Sequence, residues 1–224
     1  MAVSMADIAK LRAMTGAGMM DCKNALAEAN NDFEKAIELI RKRGQAIAAK
    51  RSDREASEGC VLAKAEGGFA AMIALKCETD FVANNADFVK LTQDILDLAI
   101  ANKCQTLEEV KALPMGNGTV QDAVTDRSGI TGEKMELDGY MTIEAEYVSV
   151  YNHQGKNQLC TLVGLNKANE AAGKRLAMQV AAMSPIAIDE DGVSEEIKNA
   201  EIAVAVEKTK AEMVKKAVEA ALSK

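Results

Sequence analysis

Residues 60–85 read CVLAKAEGGFAAMIALKCETDFVANN. Two runs rich in Val, Leu, Ile and Ala flank Gly67-Gly68, and a glycine pair supplies the positive φ that a two-residue hairpin turn demands, so two antiparallel strands are predicted. The apolar pattern stops at CETDFVANN and resumes at Phe88, Leu91, Ile95 and Leu98. Steps of three and four predict an amphipathic helix from about Asp87 to Ala101. The intervening loop holds Phe81, one of only 4 phenylalanines in the chain, so its placement there asks for a reason.

Working outward, MTIEAEYV (141–148) alternates as a strand. EYVSVY, a turn at His153-Gln154-Gly155 and QLCTLVGL predict a second hairpin, followed by a helix carrying Leu176, Val180 and Met183 that Pro185 closes. The order strand, strand, helix therefore occurs twice, a weak internal repeat. Between the copies, Thr106-x-x-Glu109 and Thr119 open two further helices, the first ending near Pro114 and the second running through Ser128. Upstream, three short helices are expected: Met5 to Met14 behind a Ser4 cap, Met19 to Ala29, and a third capped by Asn31 and stopped by Gly44. After Ser194 a single long helix follows, whose apolar face (Ile197, Val204, Met213, Ala217) needs a partner. The fold class is α+β. The expected division is a three-helix domain (1–46), a linker (47–58), a first ββα subdomain (59–140), a second (141–192) and a projecting helix (193–224).

Bulk properties exclude several function classes. With 48% hydrophobic residues, a net charge of −7 and a pI near 5.0, the chain can bury a core, and its surface as a whole is unsuited to nucleic acid or anionic membrane. No apolar run is long enough to span a bilayer and the N-terminus lacks a signal-peptide pattern, so a cytoplasmic address is expected. Five scattered cysteines without a C-x-x-C pair read as reduced, mostly buried thiols. One histidine, His153, leaves little for a metal site or imidazole catalysis. Neither Gly155-Lys156 nor Gly173-Lys174 belongs to a phosphate loop, and Gly16-Ala17-Gly18 lacks the preceding strand of a dinucleotide fold, so no cofactor and no direct nucleotide binding are expected. Asp189-Glu190-Asp191-Gly192 reads as a solvated turn, and the Arg41 to Arg54 basic cluster as the complement of a helix C-terminus.

For Phe81 and Val82 two readings stand. Both side chains could tuck under the following helix as a hydrophobic staple, or Phe81 could be an exposed wedge beside Asp80, the kind of aromatic anchor that dominates a protein contact. The second copy makes its strand-to-helix connection with Asn166-Lys167-Ala168-Asn169-Glu170, without Asp, Phe or Val. A ββα unit can thus be built without Thr79-Asp80-Phe81-Val82, which favours a role for them besides folding.

LRAMTGAGMMDCKNALAEANNDFEKAIELIRKRG (11–44) followed by CETDFVANNADF (77–88) resembles the elongation factor Ts family of translation factors, with further likeness at GITGEKMEL, YNHQGKNQLCTLV and LAMQVAAMSP. The resemblance implies a non-enzymatic guanine-nucleotide exchange factor for elongation factor Tu, with a ubiquitin-associated-like (UBA-like) N-terminal bundle and a two-subdomain core. It also implies partner-binding roles for Arg12, Met19 and Met20 on the bundle, for Thr79, Asp80, Phe81 and Val82 at the loop, and for His153 with Gly155 in the second subdomain. Where many members read GENI and two arginines, this chain reads Gly132-Glu133-Lys134-Met135, and full-length members continue beyond the projecting helix, so the second subdomain is expected to be incomplete. Two alternatives remain: a UBA-like adaptor without exchange activity, and a thiol enzyme using Cys77 or Cys160 with His153. No sequence feature fixes an oligomeric state.

Overall fold

The first and third helices are started by short polar side chains. In the computed structural model, which describes residues 3–153 and 157–222, Ser4 Oγ accepts the Asp7 amide to open α1 (Met5–Thr15), and Gly16 closes it at φ 70°. α2 (Met19–Glu28) follows Gly18, and α3 (Phe33–Lys50) is capped by Asp32, whose carboxylate accepts the Lys35 amide at 3.2 Å. The cap expected at Asn31 falls one residue later because Asn31 itself turns the chain at φ 66°. Ile8, Leu11, Cys22, Leu26 and Ala36 meet in a small core. Full burial of a leucine there is worth about 1.5–3 kcal/mol.

Gly44 does not stop the third helix. α3 runs on to Lys50 because Gly44 serves a close crossing with α7 (Val120–Thr131): a Cβ on Gly129 would lie 2.1 Å from the Gly44 Cα. The cost of glycine in a helix is accepted here in exchange for backbone contact. Arg41 Nη2 reaches Asp122 at 2.9 Å beside this crossing. Its Nε faces Asp126 at 3.4 Å without hydrogen-bond geometry, and burial raises the Asp126 carboxyl above its ordinary range.

β1 (Glu58–Glu66) and β2 (Phe69–Cys77) form the predicted hairpin, with Gly67 at φ 61°. β5 (Glu136–Glu144) pairs antiparallel with β2 and completes a sheet of order β1-β2-β5. α5 (Ala86–Ala101) lies on one face and buries Phe88, Ile95 and Leu96 against Ile73, Leu75 and Leu137. Between them come the short α4 (Asp80–Ala83), α6 (Leu107–Ala112) with a Thr106/Glu109 capping box, and the two-residue strands β3 (Pro114–Met115) and β4 (Gly118–Thr119). Thr119 and Asp122 form a second capping box that opens α7.

MTIEAEYV is not one strand. β5 ends at Glu144, the Ala145 amide donates to Gly68 O at 3.0 Å, and the chain then turns into β6 (Tyr147–Asn152), which pairs antiparallel with β7 (Cys160–Leu165). α8 (Glu170–Met183) packs on this second hairpin: Gly173 sits over Ser149, and the Thr161 hydroxyl donates to Ala177 O at 2.8 Å. The hairpin is tied to β1 by the Asn152 carboxamide, which accepts from Ala63 N at 2.8 Å and donates to Ala63 O at 2.9 Å, and by Asn157 O, which accepts from Val61 N at 2.6 Å. All of this belongs to one compact unit that reaches Ala182.

A second unit, from Met183 onward, holds the turn at Glu190–Gly192 and the long α9 (Glu195–Leu222). Ile202, Val204, Met213 and Val218 are exposed along α9. Among the described residues no helix is long and apolar enough to cross a membrane.

Two outcomes follow from the α3–α7 crossing. Gly129→Ala gains helix propensity but inserts a methyl into backbone, and overpacking of that kind costs about 1–3 kcal/mol, read as a lower urea midpoint with an unchanged m-value. The Asp122 carboxyl is held below its usual range, first by the Thr119 amide, then by the Thr119 hydroxyl and by Arg41. A lowered folded value stabilises above the ordinary carboxylate pKa of about 3.9 and is lost as pH falls through the lowered value. Asp122→Asn therefore loses stability at neutral pH and shows a shallower decline below about pH 4 in urea titrations at several pH values.

Candidate functional site

A helix of one turn separates β2 from α5, where the sequence predicts a loop. Thr79 opens α4 by accepting the Val82 amide at 3.4 Å, and the Asn84 carboxamide donates to Asp80 O at 2.7 Å. Successive residues rotate by about 100° around such a turn, so its four residues cannot all face the core. Ala83 is buried and Val82 packs on the core cluster, which forces Asp80 and Phe81 outward. Phe81 is 85% exposed. The staple expectation therefore holds for Val82 and fails for Phe81. Leaving such a ring in water forgoes about 1.5–3 kcal/mol that burial would supply.

The segment before α4 is fixed from two sides. Glu78 is paired with Arg51 at 2.9 Å and accepts the Lys134 amide at 2.6 Å. That amide first, and then Arg51, hold the Glu78 carboxyl below the usual carboxylate range. Glu133 accepts from the Glu78 and Thr79 amides and from the Thr79 hydroxyl. Neither glutamate was distinguished in the sequence, since Glu133 lies more than fifty residues from Thr79 and no periodicity links them.

The second hairpin comes close to this turn. A hollow of about 390 Å³ is lined by Glu58, Glu78, Thr79, Asp80, Asn84 and Gln158, so the connection after β6 and the start of α4 share one wall. His153 is exposed at the end of β6, its amide donates to Leu159 O at 2.9 Å, and its Nδ1 lies 2.8 Å from the Tyr151 hydroxyl. Gly155 lies outside the described residues. Arg12, Met19 and Met20 are exposed on the helix bundle. Among the described residues no hydrogen bond or ion pair joins them to α4 or to His153.

Every cysteine is free and buried, and burial pushes the thiols of Cys60 and Cys160 up to about 11 and that of Cys77 up to about 12. A thiol that is neither exposed nor ionised is no nucleophile, which removes the support for a Cys77 or Cys160 enzyme. What the surface offers is an aromatic ring beside a carboxylate, an exposed imidazole, and a methionine pair on a separate bundle.

Comparison with known proteins agrees with the motifs. The family model described as Elongation factor TS matches residues 78–224. An Elongation factor Ts of Bacteroides thetaiotaomicron is 75% identical over 225 residues, covering 100% of this chain and 68% of the relative. One from Phocaeicola vulgatus is 75% identical over 224 residues with the same coverage, and one from Porphyromonas gingivalis is 57% identical over 210 residues, covering 93% of this chain and 76% of the relative. An α+β core with a capped aromatic turn, a family model over most of the chain and relatives of this identity together assign it: the chain belongs to the elongation factor Ts family.

Proposed function

We propose that the chain is a guanine-nucleotide exchange factor for elongation factor Tu and that Asp80 and Phe81 are its working pair. The observation that carries this is the exposure of Phe81 on a turn whose last two residues, Val82 and Ala83, are anchored in the core. Family membership supports the exchange role.

A GTPase retains GDP because Mg²⁺ and backbone amides neutralise the phosphates. An exchange factor accelerates release by binding the emptied state better than the loaded one. Phe81 inserts between helices of the partner near its Mg²⁺, Asp80 perturbs the charges there, and the phosphate loop shifts so that metal and nucleotide leave. No covalent step is involved. Coupling is reciprocal: the factor weakens nucleotide by the same free energy with which nucleotide expels the factor, so the more abundant nucleotide sets the direction.

The other residues divide the work. Arg12, Met19 and Met20 on the bundle (1–46) dock on the partner's nucleotide-binding domain, and Val82 anchors the wedge to the first subdomain (59–140). His153 and Gly155 make a second contact from 141–192. The factor itself holds neither metal nor nucleotide, and it works where elongation factor Tu works, in the cytoplasm.

Stopped-flow release of labelled GDP from elongation factor Tu tests the assignment directly. Wild-type chain accelerates release; Phe81→Ala, with unchanged circular dichroism, loses an anchor worth about 2 kcal/mol and slows it roughly tens-fold. Equal rates for the two would remove Phe81 from the mechanism. Met19→Ala combined with Met20→Ala raises the factor concentration needed for half-maximal exchange while leaving the saturated rate near wild type, as expected for a contact made equally in ground and transition states.

A further inference from the structure

We propose that Glu133 is a positioning residue for Asp80 and Phe81, acting through Thr79, and that Glu78 and Arg51 link this control to the helix bundle. The inference rests on Phe81 being the group the partner receives.

α4 spans only Asp80–Ala83, a single turn, and one turn fixes several dihedrals for very few hydrogen bonds. Its own cap is long, with Val82 N donating to Thr79 Oγ1 at 3.4 Å. Val82 and Ala83 send Phe81 outward, and the start of the turn is held from outside it by Glu133. One carboxylate oxygen accepts the Glu78 and Thr79 amides at 3.2 and 3.1 Å, and the other accepts the Thr79 hydroxyl at 2.6 Å. With its proton committed to Glu133, the hydroxyl can present only lone pairs to the Val82 amide, which is the orientation a cap requires.

Glu133 is itself immobilised. Gly132 takes φ 74° at the end of α7, the buried Ser128 hydroxyl donates to Glu133 O at 2.5 Å, and the Glu133 amide donates to Thr131 Oγ1 at 3.4 Å. The exchange is mutual, because the Glu78 carboxylate accepts the Lys134 amide at 2.6 Å while both its oxygens accept from Arg51 Nη1 at 2.9 Å. Each of two chain segments thus lends a carboxylate to the other's backbone. Arg51 is the residue that follows α3, so the bundle's last helix is tied to the residue two before Asp80. Charged acceptors make such bonds stronger than neutral ones, and the bonds from the Thr79 hydroxyl and the Lys134 amide are short at 2.6 Å, which suits a part that must not drift.

The test uses the full chain labelled biosynthetically with 4-fluorophenylalanine, which gives fluorine signals from Phe33, Phe69, Phe81 and Phe88. The Phe81 signal is assigned by its loss in Phe81→Leu. In Glu133→Ala the Phe81 signal moves or broadens while the other three stay, and exchange on elongation factor Tu slows by about ten- to 100-fold, the range that a displacement near 1 Å produces. Glu133→Gln keeps an oxygen for the two amides and recovers most of the rate. In a Phe81→Ala background, Glu133→Ala slows exchange much less than it does in wild type, because only its effect through Asp80 is left once the ring is gone. An unmoved Phe81 signal in Glu133→Ala, or the same slowing in both backgrounds, overturns the proposal. If Phe81→Ala alone exchanges at the wild-type rate, the wedge mechanism falls, and the fluorine spectrum still decides whether Glu133 orients the turn. Should all four signals of Glu133→Ala collapse together, Thr79→Val, which removes one of the three bonds to Glu133 together with the Val82 cap that this bond orients, carries the same comparison.

Discussion

The burial of α5 on the β1-β2-β5 sheet sets the terms for everything around it. Ile73, Leu75 and Cys77 face inward at the end of β2, and Phe88 must enter the same core soon after, so the chain has only Glu78 to Asp87 in which to leave the sheet and come back over it. α4 occupies that gap. Its helical rotation gives the inward places to Val82 and Ala83 and leaves none for Phe81. The exposed ring is thus a product of the way α5 packs on the sheet.

Much of this was legible. The Gly67-Gly68 turn, the three-and-four spacing through Phe88 and Leu98, and the Thr106 and Thr119 caps are local signals whose partners lie within a few residues, and each element appears where it is predicted. Gly44 was misleading because a helix-stop signal and a close helix crossing use the same residue, and only the distant Gly129 tells them apart. MTIEAEYV was misleading for a related reason. Alternation persists while the strand changes sheets between Glu144 and Tyr147, so the pattern gives no sign of the break.

For the site, Asp80 and Phe81 could be singled out because an aromatic in a polar connection is locally odd, and the ββα unit farther along does without it. The glutamates that hold them could not. Glu78 and Glu133 look like ordinary surface carboxylates in a chain that has 34 acidic residues, and their meaning lies wholly in which amides they meet. Long-range polar contacts of this kind leave no periodic trace.

The Asn152 carboxamide has a consequence for the sheet it touches. β1 is an outer strand, and its free amides at Val61 and Ala63 would otherwise invite a foreign strand to add on. Asn157 O takes the first of these amides, and Asn152 presents to Ala63 the same acceptor and donor that a neighbouring peptide unit would. A side chain thereby counterfeits a strand, and this stretch of the sheet's border is covered without a further strand being built.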